Sequence, residues 1–179
     1  MTDLMKLAPW SNAHALRVVI ETPRGSAVKV KLDPRLGAFT ISRPLPEGMV
    51  YPFDFGFVPG TRAPDGDPLD AVVFWDVASW PGIVVDCRPL GVVELDQAAK
   101  DGKRRQRNDR LLVTPTSAAR AGDLTSALDL PARVREEVES FFVASTAFEG
   151  MDVHVLGWKG PKDADRLVSR HAMRRHRRR

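Results

Sequence analysis

The sequence holds a single cysteine, Cys87. With no second thiol it cannot close an internal disulfide or clasp zinc, which excludes a disulfide-stapled scaffold and points to the cytoplasm. Long apolar runs are missing too. Nothing approaches the roughly 20 residues that span a bilayer as a helix. Asp3, Lys6 and Trp10 break up the first ten residues, where a signal peptide would carry its apolar core. No internal repeat is visible. The four histidines, His14, His154, His171 and His176, show no metal-ligand spacing, and Ser117, Ser126 and Ser145 show no nucleophile-elbow context.

What is present suits an ordinary globule: 179 residues, 43% apolar and 28% charged. That is enough for one core and short for two. The expectation is a single domain over 1–179, with an N-terminal arm at 1–14. The formal charge of +4 first suggests a nucleic acid or another anionic surface as partner. Its distribution says otherwise. Residues 166–179 hold seven arginines and no acid; without them, 20 bases face 23 acids. A second basic cluster, 100–110, contains Lys100, Lys103, Arg104, Arg105, Arg107 and Arg110 against Asp101 and Asp109. The body is therefore acidic and carries two basic patches. The tail reads as a phosphate-seeking arm or, preferably, as a solvated helix end whose cations suit the macrodipole. Nucleic acid stays open as a partner but is not favoured.

The first half reads as β-structure. Leu16–Glu21 is rich in β-branched residues, and Val28, Val30 and Leu32 alternate with Lys29, Lys31 and Asp33, which puts Lys29 and Lys31 on one face. Further strands are expected at 38–43, 70–75, 83–96 and 110–114, several of them long and bent as in a barrel, with a closing strand at 151–158. Asp129 and Pro131 mark a helix start, after which Val134, Val138, Phe141 and Phe142 recur at helical spacing. Pro161 opens a second helix with Ala164, Leu167, Val168 and Ala172 as its apolar stripe. Trp75, Trp80 and Trp158 are assigned to packing or subunit contacts.

The stretch richest in chemistry is Asp65-Gly66-Asp67-Pro68-Leu69-Asp70, three carboxylates on a turn tightened by Gly and Pro. Such charges repel unless something positive lies among them. All-oxygen donors of this hardness suit Mg²⁺, Mn²⁺ or Ca²⁺ better than zinc. On these six residues alone, a solvated surface turn is an equal reading.

Upstream stand Glu21, Lys29, Arg43 and the run Tyr51-Pro52-Phe53-Asp54-Phe55-Gly56-Phe57. Together with Val19-Ile20-Glu21, Asp65–Asp70 and Cys87-Arg88-Pro89-Leu90-Gly91-Val92, they make the chain resemble the soluble family I inorganic pyrophosphatases over most of residues 15–158. The resemblance implies a mainly β fold, a five-stranded OB-like closed barrel with two flanking α-helices. It also implies a cytoplasmic homo-oligomer, usually a hexamer in bacteria, that hydrolyses pyrophosphate to two phosphates with Mg²⁺ (Mn²⁺ as a substitute). By the same resemblance, Asp65 and Asp70 ligate metal and Glu21 orients metal-bound water. Asp67 takes the proton of the attacking water, and Lys29, Arg43 and Tyr51 hold phosphate oxygens.

Several positions depart from the family pattern. Lys31 stands where the family has a glutamate, and Phe55 where it has a tyrosine. Gln97 and Asn108 fall at two aspartates and Arg110 at a lysine. Ser145 and Thr146 replace a Tyr-Lys pair that contacts phosphate. Asp96 and Asp109 each lie one residue off, on the wrong face of a regular strand, so that either needs a bulge to act as a ligand. Asp96 and Asn108 are carried as metal candidates, Arg110 and Lys31 as substrate-binding ones. The losses are acidic and the gains basic. One reading is that fewer metal ions are bound and that Lys31, Lys103, Arg104, Arg105 or Arg107 neutralises phosphate directly. The other is that the lengthened 100–110 segment is a solvated hairpin tip whose cations never reach the site. Alternatives at the level of function are hydrolysis of another phosphoanhydride, such as a nucleoside polyphosphate, and a weakened homologue that binds phosphate ligands or nucleic acid.

Overall fold

A computed structural model of the protein describes residues 3–99, 104–118 and 123–173. Lys100, Asp101 and Lys103 of the basic cluster and the tail arginines from Arg174 onward lie outside the described residues.

Nine strands and two helices are found there: β1 (Leu16–Thr22), β2 (Val28–Asp33), β3 (Ala38–Pro44), β4 (Asp54–Val58), β5 (Leu69–Val73), β6 (Val84–Ala98), β7 (Arg105–Arg107), β8 (Arg110–Pro115), α1 (Ala132–Ala144), β9 (His154–Lys159) and α2 (Pro161–His171). Five strands pair in the order β1-β4-β5-β8-β6, and β6 pairs back onto β1, so the sheet closes on itself. This is the expected five-stranded barrel. Every pairing in the ring is antiparallel except β5 with β8. The 15-residue β6 pairs in turn with β1, β8, β9 and β7, which it can do because its register shifts at Pro89/Gly91 and again at Glu94/Leu95. β2 and β3 form a separate hairpin.

Alternation along the strands divides the apolar residues between two cores. Ala71, Val73, Leu111 and Val113 join Leu16, Val18 and Ile20 in a cluster that takes Ala164 and Val168 from α2. Their strand neighbours Val72 and Leu112 point the other way and join Leu90, Val93 and Leu95 in a cluster with Val138, Phe141 and Phe142 of α1. Both faces of these strands are thus covered, and at ~25 cal/mol per Å² of apolar surface such burial is the main force holding the barrel closed. Asp54, with no exposed surface, is satisfied within the chain. Its carboxylate accepts from the Arg24 N–H at 2.7 Å, Trp75 Nε1 at 3.0 Å, the Ser79 N–H at 3.1 Å and Ser79 Oγ at 2.7 Å. It fastens the β1–β2 turn and the 75–79 loop to the mouth of β4.

Four expectations are corrected. Residues 54–58, read as part of an aromatic motif, form a strand, and Gly56 is its key: a Cβ there would lie 2.0 Å from the Val19 carbonyl oxygen. Within 100–110, Arg105–Arg107 also pair as a strand, against Asp96, Gln97 and Ala98. Helix α1 starts at Ala132, because Ala127–Asp129 make a 3₁₀ turn of their own, capped by Ser126 Oγ, which accepts the Leu128 N–H. Finally, Trp80 is 69% exposed and joins neither core, which removes its packing reading and leaves the subunit-contact one, whereas Trp75 and Trp158 are partly buried against the two clusters.

Candidate active site

The acidic turn joins the β4 end to β5. Gly66, at φ +93°, supplies the left-handed residue the turn requires, and the Asp67 N–H bonds Asp65 Oδ1 at 3.1 Å while Asp67 O accepts from the Ala63 N–H at 2.7 Å. Those bonds aim the three carboxylates at a cavity of about 530 Å³. β1 contributes Glu21, β2 brings Lys29 and Lys31, and β3 brings Arg43. Tyr51 enters ahead of β4, while Asn108 and Arg110 flank the start of β8. Ten of the expected site residues therefore line one space.

Asp96 does not. It sits on the opposite side of β6 from Gln97, which does line the cavity, and its carboxylate accepts from Arg105 Nε at 3.0 Å. The β6 register shift at Glu94/Leu95 fails to rotate it inward. Asp109 is likewise taken, bonding the Leu95 N–H at 3.0 Å and Arg107 Nε at 3.0 Å. Neither acid replaces the family carboxylates.

Inside the cavity the carboxylates have cationic partners. Lys31 Nζ lies 3.1 Å from Asp67 Oδ2, and Arg110 Nη1 lies 2.6 Å from Asp70 Oδ2. Arg110 is held by an amide relay: its Nη1 also donates to Asn108 Oδ1, and Asn108 Nδ2 donates to Gln97 Oε1 at 2.9 Å. Because a guanidinium only donates, the Asn108 oxygen must face it and its NH₂ must face Gln97. Arg43 Nε is 3.5 Å from Glu149, in the α1–β9 loop. The Glu149 contact has no signal in the sequence, since the residue lies in an irregular segment far from β3.

Electrostatics follow from this crowding. Burial pushes the Glu21 carboxyl up to about 7 even though its Oε1 accepts the Leu32 N–H at 2.8 Å, and the nearby Asp70 adds to the rise. Burial lowers the Lys29 pKa; Asp70 opposes the shift, while the neighbouring Lys31, Arg110 and Arg43 add to it. Lys31 moves the other way: burial opposes its charge, but Asp67, Asp70 and Glu21 together hold it above the ordinary lysine value. Burial raises Asp65, and Asp70 and Asp67 add to the shift. The Tyr51 phenol, packed against Phe55 and Phe141 with ring centroids 5.0 Å away in each case, is pushed up to about 12 by burial and stays protonated.

Arg105 and Arg107 of the inserted segment are spent elsewhere. Arg105 clamps Asp96 and, at 2.7 Å, Asp152; Arg107 bonds Glu94 at 2.9 Å as well as Asp109. Neither lines the main cavity, and Arg107 instead borders a second space of about 510 Å³ beside α2. Among the described residues, what this stretch contributes to the cavity is neutral wall: Ala98, Ala99 and Gln106. Ser145 and Thr146 line the cavity too, but their hydroxyls turn back to the Phe142 carbonyl, at 3.4 Å and 3.0 Å.

A family profile described as inorganic pyrophosphatase matches residues 18–176. The chain belongs to the inorganic pyrophosphatase family. It is 37% identical to the inorganic pyrophosphatase of Thermus thermophilus over 92% of this chain and 93% of the relative. To that of Synechocystis sp. it is 33% identical, over 88% and 89%. Its fold matches the crystal structure of the Thermus thermophilus inorganic pyrophosphatase with a TM-score of 0.86 at 32% identity, covering 94% of this chain and 95% of that one. For the Helicobacter pylori inorganic pyrophosphatase the TM-score is 0.83 at 29% identity, covering 93% and 96%.

Membership of this family implies dependence on a metal, and Asp65, Asp67, Asp70 and Glu21 offer oxygen donors of the kind a hard cation takes. Among the described residues, no three His, Cys, Asp or Glu side chains converge closely enough to hold a metal as they stand. Two of the turn's carboxylates are already engaged by Lys31 and Arg110. Among the described residues, no helix is long and apolar enough to cross a membrane.

Proposed function

We propose that the protein is a Mg²⁺-dependent inorganic diphosphatase, cleaving pyrophosphate with water into two phosphates. The observation that carries this reading is the meeting of Asp65, Asp67 and Asp70 with Lys29, Lys31, Arg43 and Arg110 on one cavity, in a chain of the pyrophosphatase family. Pyrophosphate is a compact polyanion, and a pocket that hydrolyses it must gather positive charge around its oxygens while keeping a base beside the attacking water. Lys29, Lys31, Arg43 and Arg110 supply fixed cations, and the protonated Tyr51 supplies a donor. Asp67 accepts the proton of water as the oxygen adds to phosphorus and the bridging P–O bond breaks. Asp65, Asp70, Glu21 and the Asn108 carbonyl are the oxygen donors for a divalent ion. When bound, that ion neutralises substrate charge and makes water a better nucleophile.

A homo-oligomer in the cytoplasm belongs to the same proposal, and light scattering on the purified chain checks the assembly. The function is tested by phosphate release from pyrophosphate, triphosphate and nucleoside triphosphates across a Mg²⁺ and Mn²⁺ series. The expected result is release that requires the metal and prefers pyrophosphate. No release at any metal concentration overturns the reading, and a preference for nucleotides moves the substrate to that class.

A further inference from the structure

Asp67 and Asp70 face the same cavity from one turn, yet each meets a basic side chain delivered by a different strand: Lys31 from β2 at 3.1 Å, and Arg110 from β8 at 2.6 Å. The second pair is built in depth. Arg110 is only 15% exposed at its side chain, and the Asn108–Gln97 relay beneath it ends on Gln97, which is 9% exposed. Gln97 and Asn108 are uncharged, so the relay fixes the guanidinium against Asp70 without competing for its charge. The first pair is looser. Lys31 and Asp67 are 38% and 59% exposed at their side chains, so the ammonium is free to leave. Among the described lining residues, five acids (Glu21, Asp65, Asp67, Asp70, Glu149) face four bases (Lys29, Lys31, Arg43, Arg110).

We infer that Lys31 is a tethered counter-ion that alternates between two partners, the carboxylate of Asp67 and the anionic oxygens of a phosphate ligand, so that it competes with divalent cations for the acidic turn and cooperates with phosphate. This inference rests on the proposed pyrophosphatase reading and assigns it a specificity-determining residue. While Lys31 holds Asp67, the carboxylate is neither a free metal ligand nor a free base. A divalent ion arriving at the turn displaces the ammonium, which then reaches the anion in the same cavity. Arg110, braced by Asn108, pairs with Asp70 Oδ2 and brings a fixed positive charge to the same cavity. Charge that a second or third metal ion would bring to the site is thus carried by the chain. Lys31 opposes the cation in one of its two positions and holds the anion in the other, so the same substitution should move affinity for the two ligands in opposite directions.

The test uses the full chain with Mn²⁺ alone and inorganic phosphate alone as probes. Free Mn²⁺ is followed by electron paramagnetic resonance, and phosphate binding by calorimetry. Lys31→Met should bind Mn²⁺ on the order of tenfold more tightly, as expected when a unit charge is removed a few ångströms from a divalent ion near a protein surface. It should bind phosphate on the order of tenfold more weakly. Lys31→Arg, which keeps the charge, should stay near the parent chain for both. Both affinities of Lys31→Met moving in the same direction, a Mn²⁺ affinity within about twofold of the parent, or no Mn²⁺ bound by either form would overturn the inference. Pyrophosphate hydrolysis by the parent chain, measured separately, distinguishes the two failures. Hydrolysis with an unmoved Mn²⁺ affinity removes this inference alone, and no hydrolysis at any Mg²⁺ or Mn²⁺ concentration removes the functional reading beneath it.

Discussion

Two sets of basic side chains lie near each other in this molecule and do different work. Lys31 and Arg110 are single residues in otherwise ordinary strands, yet both end inside the cavity, on Asp67 and Asp70. Arg105 and Arg107 belong to a conspicuous basic cluster, yet both turn outward and tie β7 to Asp96, Asp152, Glu94 and Asp109. In the densest run of charge, Arg105 and Arg107 pin a hairpin. Strand register decides which cations reach the site, because side chains alternate faces along a strand and Asp96, next to the cavity-lining Gln97, is on the outside for the same reason.

The comparison can be broken most sharply at Asp67. Asp67→Asn removes the proposed proton acceptor and the partner of Lys31 together. Pyrophosphate hydrolysis should fall by on the order of 10²-fold or more, measured as steady-state phosphate release, with the fold intact by circular dichroism. An unchanged rate would place the base elsewhere.

Glu21 sharpens the comparison by pH. Its carboxyl is raised from 4.5 to about 7 in the folded chain, so the folded state prefers it protonated. Its contribution to stability is therefore fully present below about pH 4.5 and is lost as pH rises through about 7, a shift worth about 3 kcal/mol at most. In chelator, Glu21→Gln should flatten the fall in melting temperature across that window and leave the chain more stable than the parent at pH 8. A parallel pair of pH curves would contradict the burial of this group as a charge.

The smallest effect belongs to the outer set. Arg107 is half exposed, so screening keeps its pairs with Glu94 and Asp109 weak. Arg107→Ala should cost about 0.5 kcal/mol of stability by denaturant titration and change the rate of hydrolysis by no more than about twofold.

Much of this was readable in advance. Alternation in β2 placed Lys29 and Lys31 on one face, the β-branched runs marked β1, β6 and β8, and the apolar stripe of α2 is the one that packs through Ala164 and Val168. β4 is hard to read as a strand because it is only five residues long and carries Gly56, which breaks the apolar pattern but serves a close approach to β1. The positions of Gln97, Asn108 and Arg110 were legible as substitutions, but their relay was not. It depends on β6 and β8 lying antiparallel with Asn108 looped between β7 and β8, a long-range geometry no local pattern encodes. Glu149 was invisible for the same reason: a loop after α1 brings it to Arg43 of β3. For the basic cluster the two readings stay level in the sequence, because composition reports that charges exist and is silent on the face they occupy.

The central claim is that the inner cations serve the site and the outer ones do not, and paired substitutions test it most directly. Steady-state phosphate release from pyrophosphate with saturating Mg²⁺ is compared for Lys31→Met/Arg110→Met and for Arg105→Met/Arg107→Met. The account predicts that the inner double variant loses at least about tenfold in kcat/KM, as loss of charge-assisted contacts to phosphate implies, while the outer one stays within about twofold of the parent. An inner variant as active as the parent, or an outer variant with the larger loss, would contradict it.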